Sequence, residues 1–298
     1  MSGLATEERP LVMGVLNVTP DSFSDGGAWF DRRAAIERGH QLIAEGADIV
    51  DVGGESTRPG AGPVAADEEL RRVLPVVEAL APHVRVSIDT TKPAVAEAAV
   101  AAGATLVNDV SASLWPVAAA AGVGWVAMHR RGTPADMQDR PVFEDVVAEV
   151  TGYLTDRAGQ GAAAGVPEVW IDPGIGFGKT VEHNVQLLAA VDQLVATGYP
   201  VLVGTSRKSF LGILSASADG TPAPVGDRLA GSLATATWAL EQGARMVRVH
   251  DVAATVQAAT LVGDRRRSTG SGSGSGSGSG DASPDAGSAP LGRAGVSR

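Results

Sequence analysis

Arg248 and His250 stand two residues apart in the segment RMVRVHDV (245–252). On an extended strand alternate side chains share a face, so a guanidinium and an imidazole project together while Val247 and Val249 point away. Together they suit an anion such as phosphate; taken singly, each reads as a surface cation or a hydrogen-bonded histidine. Lys208 adds a third cation after VLVGTSR (201–207), although it and Arg207 read equally well as solvated loop residues. Asp89, Asn108 and Asp172 each end an apolar run, and carboxylates and an amide there can pair with the donors and acceptors of a flat heterocycle. Alone, Asp89 would be a cap for the helix beginning near Thr91-Lys92-Pro93, and Asp172 the opening of a turn at Pro173. Three such residues at one rim are harder to explain as caps. Asn17, His129 and Asp51, with Glu55, Ser56, Thr57 and Arg58 behind it, recur at the same kind of position. The segments TPDSFSDGG (19–27) and ESTRPGAG (55–62) are long, polar and glycine-bearing, as lids are, and as ordinary surface loops can be.

The segment IDPGIGFGKT (171–180) comes close to the loop that cradles nucleotide phosphates, with Gly178, Lys179 and Thr180 in place. That loop requires glycine where Pro173 stands, and proline has no backbone N–H to offer a phosphate. There is no H-E-x-x-H, no G-x-S-x-G, and no metal-ligand spacing among the five histidines.

The elements that must carry these residues repeat one rhythm: a short run rich in valine and isoleucine, a Gly- or Pro-bearing loop, then a helical pattern. Eight such runs occur: LVMGVLNV, DIVDVGG, VRVSIDT, TLVNDVS, GWVAMH, VWIDPG, PVLVGTS and RMVRVHDV. Helical patterns cover 31–46, 66–81, 92–103, 142–165, 181–198 and 227–243. The fourth unit leaves only 116–122 for about two turns. Leu70, Val73, Leu74, Val77 and Leu80 form one helical face, which Pro75 interrupts and is expected to kink. Runs apolar throughout are buried on both faces, as parallel strands are. The pattern fits an α/β fold, a single (β/α)8 TIM barrel over 11–264, with a doubly wound open sheet as the alternative. Residues 1–10 then form an N-terminal segment and 265–298, with the repeat GSGSGSGSGSG, a disordered tail.

Formal charge −10 argues against general affinity for nucleic acid or anionic membrane. With no cysteine, the chain has no disulfides and no thiolate chemistry. The N-terminus lacks an apolar signal region and no apolar run is long enough to span a bilayer, so a cytoplasmic protein is expected.

Taken together, MGVLNVTPDSFSDGG (13–27), DVGGESTRPGA (51–61), SIDTTKP (87–93), NDVSA (108–112), MHRRGTPADMQ (128–138), IDPGIGFGKT, GTSRKSF (204–210) and RVHDV (248–252) resemble the bacterial dihydropteroate synthase family from about Leu11 to Val252. The resemblance implies joining p-aminobenzoate to a dihydropterin pyrophosphate in folate synthesis, with Mg2+ assisting and a homodimer as the usual assembly. It implies that Asp89, Asn108, Asp172, Lys208 and Arg248 bind pterin. Pyrophosphate falls to Arg248, His250, Asn17, Thr57 and Arg58, Asn17 also meeting the metal. Phe23, Thr57, Pro59, Phe177, Lys208 and Ser209 would shape the aminobenzoate pocket, and Asp25 would steady the developing cation. The short fourth unit and the Gly-Ser tail depart from the family. Two rivals share the pterin motifs: a binding paralogue without synthesis, expected to lose Thr57-Arg58, Lys208 or the Arg248/His250 pair, and a corrinoid-dependent methyltransferase, which has no need of Arg58 and His250.

Overall fold

All eight apolar runs are strands, each followed by helix. In chain order they are β1 (Leu11–Asn17), α1 (Gly27–Ala44), β2 (Ile49–Gly53), α2 (Ala66–Leu80), β3 (Arg85–Asp89), α3 (Pro93–Ala101), β4 (Leu106–Asp109), α4 (Trp115–Ala121), β5 (Gly124–Met128), α5 (Val146–Ala163), β6 (Val169–Asp172), α6 (Val181–Ala189), α7 (Val191–Val195), β7 (Leu202–Val203), α8 (Ser209–Leu214), α9 (Leu229–Glu241), β8 (Met246–Val249) and α10 (Val252–Gly270). The computed structural model describes residues 9–19, 27–56, 62–132 and 141–270, with backbone alone for 27–31 and 264–270.

The strand order β6-β5-β4-β3-β2-β1-β8-β7 runs in sequence around the sheet, and every named pairing is parallel. An Ile171–Val201 bridge and a 3.1 Å hydrogen bond from Ile171 N to the Pro200 carbonyl join β6 to the segment entering β7. The sheet therefore closes, and the doubly wound alternative falls away.

Strand alternation sorts the apolar residues into two cores. Val12, Val50, Val86, Val107, Ile171 and Val247 point outward into a large cluster with the helices. Met13, Ile49, Leu106, Val126, Trp170, Leu202 and Met246 point inward and fill the lower barrel. Trp170 fits there because its indole N–H donates to Glu168 Oε1 at 2.6 Å. Inward positions nearer the C-terminal strand ends are polar: Asp51 follows Ile49, Asn108 follows Leu106, Asp172 follows Trp170 and Arg248 follows Met246. The plug thus supplies a dry floor, and the same two-residue period places polar groups above it.

Several expected boundaries shift for identifiable reasons. The fifth helix begins at Val146 rather than 142, because Asp145 caps it, accepting from Val147 N and Ala148 N at 3.0 Å. The pattern over 181–198 divides at Ala190 into α6 and α7, yet Leu187, Leu188, Val191 and Leu194 stay buried as one stripe. The fourth helix has the expected two turns and ends on Gly122 in the left-handed conformation, φ 65°. Helix α2 continues through Pro75 to Leu80. Helix α8 is too short to show a period, and α10 continues to Gly270, beyond the position 264 where composition ends the domain.

Candidate active site

Across the tops of β1 to β4, Asn17, Gly53, Asp89 and Asn108 stand in register. Asp51 and Ser87 are paired one step lower. Gly53 adds no side chain to the row; a Cβ there would make ordinary contact, 3.5 Å from Asp89 Cβ. From β8, the strand paired with β1, Arg248 reaches across into this space. Its Nε donates to Asp51 Oδ2 at 2.6 Å and its Nη2 to Asp89 Oδ2 at 2.7 Å. Asn108 Nδ2 donates to the same Asp51 oxygen at 3.0 Å. Asp51 is fully buried and its Oδ1 accepts no hydrogen bond from the described residues.

Burial raises the Asp89 carboxyl to about 7, against the pull of Arg248 and with a further push from Asp51. Burial also raises Asp172, while Lys208 and the Gly174 N–H, which donates to its Oδ1 at 2.7 Å, act to lower it. Arg248 holds its proton more firmly than an ordinary arginine: burial opposes the charge, but Asp51 and Asp89 outweigh that effect. Burial brings the Lys208 ammonium down to about 8 despite the attraction of Asp172.

Lys208 and Arg207 separate cleanly. Arg207 has φ 59°, in the left-handed region, and its side chain makes a two-point ion pair with Asp251 at 2.5 and 3.0 Å. Its backbone N–H donates to Ser232 Oγ at 2.9 Å. The unusual turn directs the next residue inward: Lys208 donates to the Ile175 carbonyl and lies 4.7 Å from the centre of the half-buried Phe177 ring. Ser209 follows as the exposed first residue of α8. His250's backbone N–H donates to Ser206 Oγ and its Nδ1 lies 3.1 Å from that hydroxyl. Phe23, Asp25, Thr57, Arg58 and Pro59 lie outside the described residues. The flanks of the segment holding Thr57 and Arg58 are nevertheless tied down, because Glu55 accepts from Val64 N at 2.9 Å and from Lys92 Nζ at 2.6 Å. Lys92 also pairs with the buried Glu69 at 2.5 Å.

The loop at 173–180 is no nucleotide cradle. Thr180 caps α6 in a capping box with His183. Lys179, 3% exposed, turns inward, its three N–H groups shared among the carbonyls of His129, Gly174 and Phe177 at 3.0–3.3 Å and His129 Nδ1 at 2.9 Å. Burial, reinforced by Lys179, lowers His129 to about 3, so its ring is neutral and can accept. Burial also lowers Lys179 to about 7. Gly174, at φ 65°, is required: a Cβ would sit 1.8 Å from the His129 carbonyl. Lys179 therefore latches the β6 loop to the end of β5, a role with no signature beyond a lone lysine among glycines. Lys179→Met leaves three carbonyls without this donor and is expected to destabilise the protein by about 2–3 kcal/mol. Amides 174–179 should then exchange with solvent measurably faster; unaltered protection would exclude the latch.

The sequence-derived Asp89, Asn108, Asp172, Lys208 and Arg248 thus converge within the barrel mouth, with Asn17 at the end of the adjoining strand. Asp51 was visible as a strand-end polar residue, but only the fold reveals it as the shared partner of Arg248 and Asn108. Its signal is its parity with Ile49 on β2. The cluster presents carboxylate and amide acceptors opposite a lysine donor, suited to a flat heterocycle bearing both N–H and carbonyl groups.

A family model described as "Pterin binding enzyme" matches residues 13–250. A dihydropteroate synthase of Mycobacterium leprae is 50% identical over 261 residues, covering 85% of this chain and 92% of the relative. The structure also resembles Xanthomonas albilineans dihydropteroate synthase with 4-aminobenzoic acid (TM-score 0.79, 47% identity, 87% of this chain and 94% of that one). The same enzyme in complex with 7,8-dihydropteroate gives a TM-score of 0.76 at 44% identity, over 88% and 95% of the two chains.

Proposed function

The chain belongs to the pterin-binding enzymes, among the bacterial dihydropteroate synthases, and from that premise we propose that it condenses a 6-hydroxymethyl-7,8-dihydropterin pyrophosphate with p-aminobenzoate. The observation that carries the reading is the meeting of Asp89, Asn108, Asp172, Lys208 and Arg248 above a closed apolar floor. Asp172, Asn108 and Asp89 accept the heterocycle's N–H groups, Lys208 donates to an acceptor, and Arg248 adds its guanidinium plane. Pyrophosphate lies toward the mouth with His250, Arg248, Asn17, Thr57 and Arg58. If Ser206 Oγ accepts from His250 N and donates to Nδ1, the imidazole proton sits on Nε2.

In the reaction the bond between the pterin methylene and the diphosphate oxygen breaks and a carbon–nitrogen bond to the aminobenzoate forms, the amine losing a proton. Positive charge develops at the methylene as the diphosphate leaves, so catalysis comes from holding the anion and sheltering the carbon rather than from a dedicated base. Asp25 would steady that charge. Phe177, Lys208 and Ser209, with Phe23, Thr57 and Pro59, would line the aminobenzoate side, and closure of the segments around 19–27 and 55–62 would exclude water.

Mg2+ belongs to this proposal as a metal arriving with the substrate. Among the described residues no group of three or more His, Asp or Glu could hold a metal. A magnesium ion is commonly held by one or two protein oxygens plus substrate phosphates, and the Asn17 amide at the β1 terminus fits such a contribution. When bound, Mg2+ would neutralise the diphosphate and ease its departure. A homodimer is proposed as the assembly, supported by exposed Ile213, Leu214, Leu229 and Trp238 on α8 and α9. No described helix is long and apolar enough to cross a membrane, and the cytoplasm is the proposed location.

Purified protein given dihydropterin pyrophosphate, p-aminobenzoate and Mg2+ is expected to release pyrophosphate and form dihydropteroate. A folded protein that binds pterin yet yields no product would instead be the binding paralogue.

A further inference from the structure

We infer that Asp51 is a specificity-determining positioning residue: it fixes the Asn108 amide so that its oxygen faces the ligand and the pocket wall there reads an N–H donor. The inference rests on the pterin reading and concerns a residue behind the ligand contacts. An ionised carboxylate can only accept hydrogen bonds, so the group that Asn108 turns toward Asp51 Oδ2, at 3.0 Å, must be its NH2. The amide oxygen is thereby forced to the opposite side. Among the described residues no donor reaches it, and it is absent from the fully buried unpartnered atoms, so it opens on the lumen. Asn108 belongs to the same row as Asp89, at the ligand's level, with Asp51 one row beneath.

Asp51 does not behave as a satisfied structural ion pair. One oxygen carries both Arg248 Nε and Asn108 Nδ2, while Oδ1 meets no donor among the described residues. Beside it on β3, Ser87 Oγ is fully buried and also unpartnered among the described residues. A buried carboxylate oxygen with no protein donor is costly, so Asp51 beneath the pocket is more than a closed ion pair with Arg248. An asparagine at 51 could offer either end of its amide, so Asn108 could turn over and present NH2 where the heterocycle also presents N–H.

A double-mutant cycle isolates this effect, read as the Kd of dihydropterin pyrophosphate with Mg2+ on folded protein, alongside the KM of p-aminobenzoate. Asp51→Asn should weaken pterin binding on the order of 10- to 100-fold and leave the aminobenzoate KM, measured at saturating pterin, nearly unmoved. In an Asn108→Ala background, the same substitution should cost only roughly threefold or less, because its target is gone. The exchange Asp51→Asn/Asn108→Asp restores an obligate acceptor at 108 and keeps the charge, so affinity should return to within roughly fivefold of the parent. Equal losses in both backgrounds would show that Asp51 acts through Arg248 or the fold alone and overturn the inference. If Asp51→Asn does not fold, the charge-conserving exchange decides, and a loss of 10-fold or more there would overturn it. Parent protein that binds no pterin at all would instead remove the functional reading beneath it.

Discussion

Arg248→Ala is expected to lower kcat/KM roughly 10²–10³-fold and to destabilise the folded protein by about 3–5 kcal/mol. Both effects follow from the same contacts. Arg248 places Nε on fully buried Asp51 and Nη2 on Asp89. Truncation leaves two neighbouring carboxylates without their cation. Asp89 already stands near 7 because burial and Asp51 raise it, and Arg248 is the group holding it down. Without the guanidinium that carboxyl rises further and is protonated at neutral pH, so an acceptor for the heterocycle is lost as well. Arg248→Lys should recover much of the stability and little of the activity, since one ammonium cannot reproduce a planar fork spanning two carboxylates. Thermal or urea unfolding and steady-state kinetics on the three proteins measure the two effects separately. An alanine variant with parental kcat/KM would place Arg248 outside the working site.

The barrel could be read from the sequence because its cause is local. Eight apolar runs, most of them followed by a helical pattern, leave few ways to cover both faces of every strand. The site could be read for a related reason, since Asp89, Asn108 and Asp172 each take the same place at the end of a run. What remained hidden depends on contacts between segments distant in sequence. Asp51 and Arg248 are 197 residues apart, and neither residue type announces the pairing. Lys179 sits beside Gly178 and Thr180 as it would in a phosphate loop, and only burial against the His129 carbonyl and ring shows that it serves a different purpose. Nor do Arg207 and Lys208, adjacent and chemically alike, reveal which points inward. The positive φ of Arg207, secured by Asp251 and Ser232, decides it.

Lys208→Met tests that orientation through pH. In the free enzyme kcat/KM should rise as Asp89 ionises through about 7 and fall as Lys208 loses its proton above about 8, giving a narrow maximum between them. The methionine variant should lose roughly 10- to 100-fold in kcat/KM, the worth of a hydrogen bond from a charged donor, and its alkaline fall should disappear while the acid limb persists. Stability moves in the opposite sense. Burial sets the folded-state pKa of Lys208 below its ordinary 10.5, so between about 8 and 10.5 the unfolded chain holds a proton that the folded chain has released. Stability therefore rises with pH across that window and is penalised below it. Asp89 works in reverse, its folded pKa lying above 3.8, so its contribution declines as pH climbs from about 4 to about 7. Lys208→Met removes only the first trend, and a rise remains from Lys179, which is depressed further, to about 7. Unfolding free energies at pH 7, 8.5 and 10 on both proteins would expose the difference. Parallel curves, with the alkaline fall in kcat/KM intact in the variant, would mean that this lysine faces solvent and that another group supplies the donor.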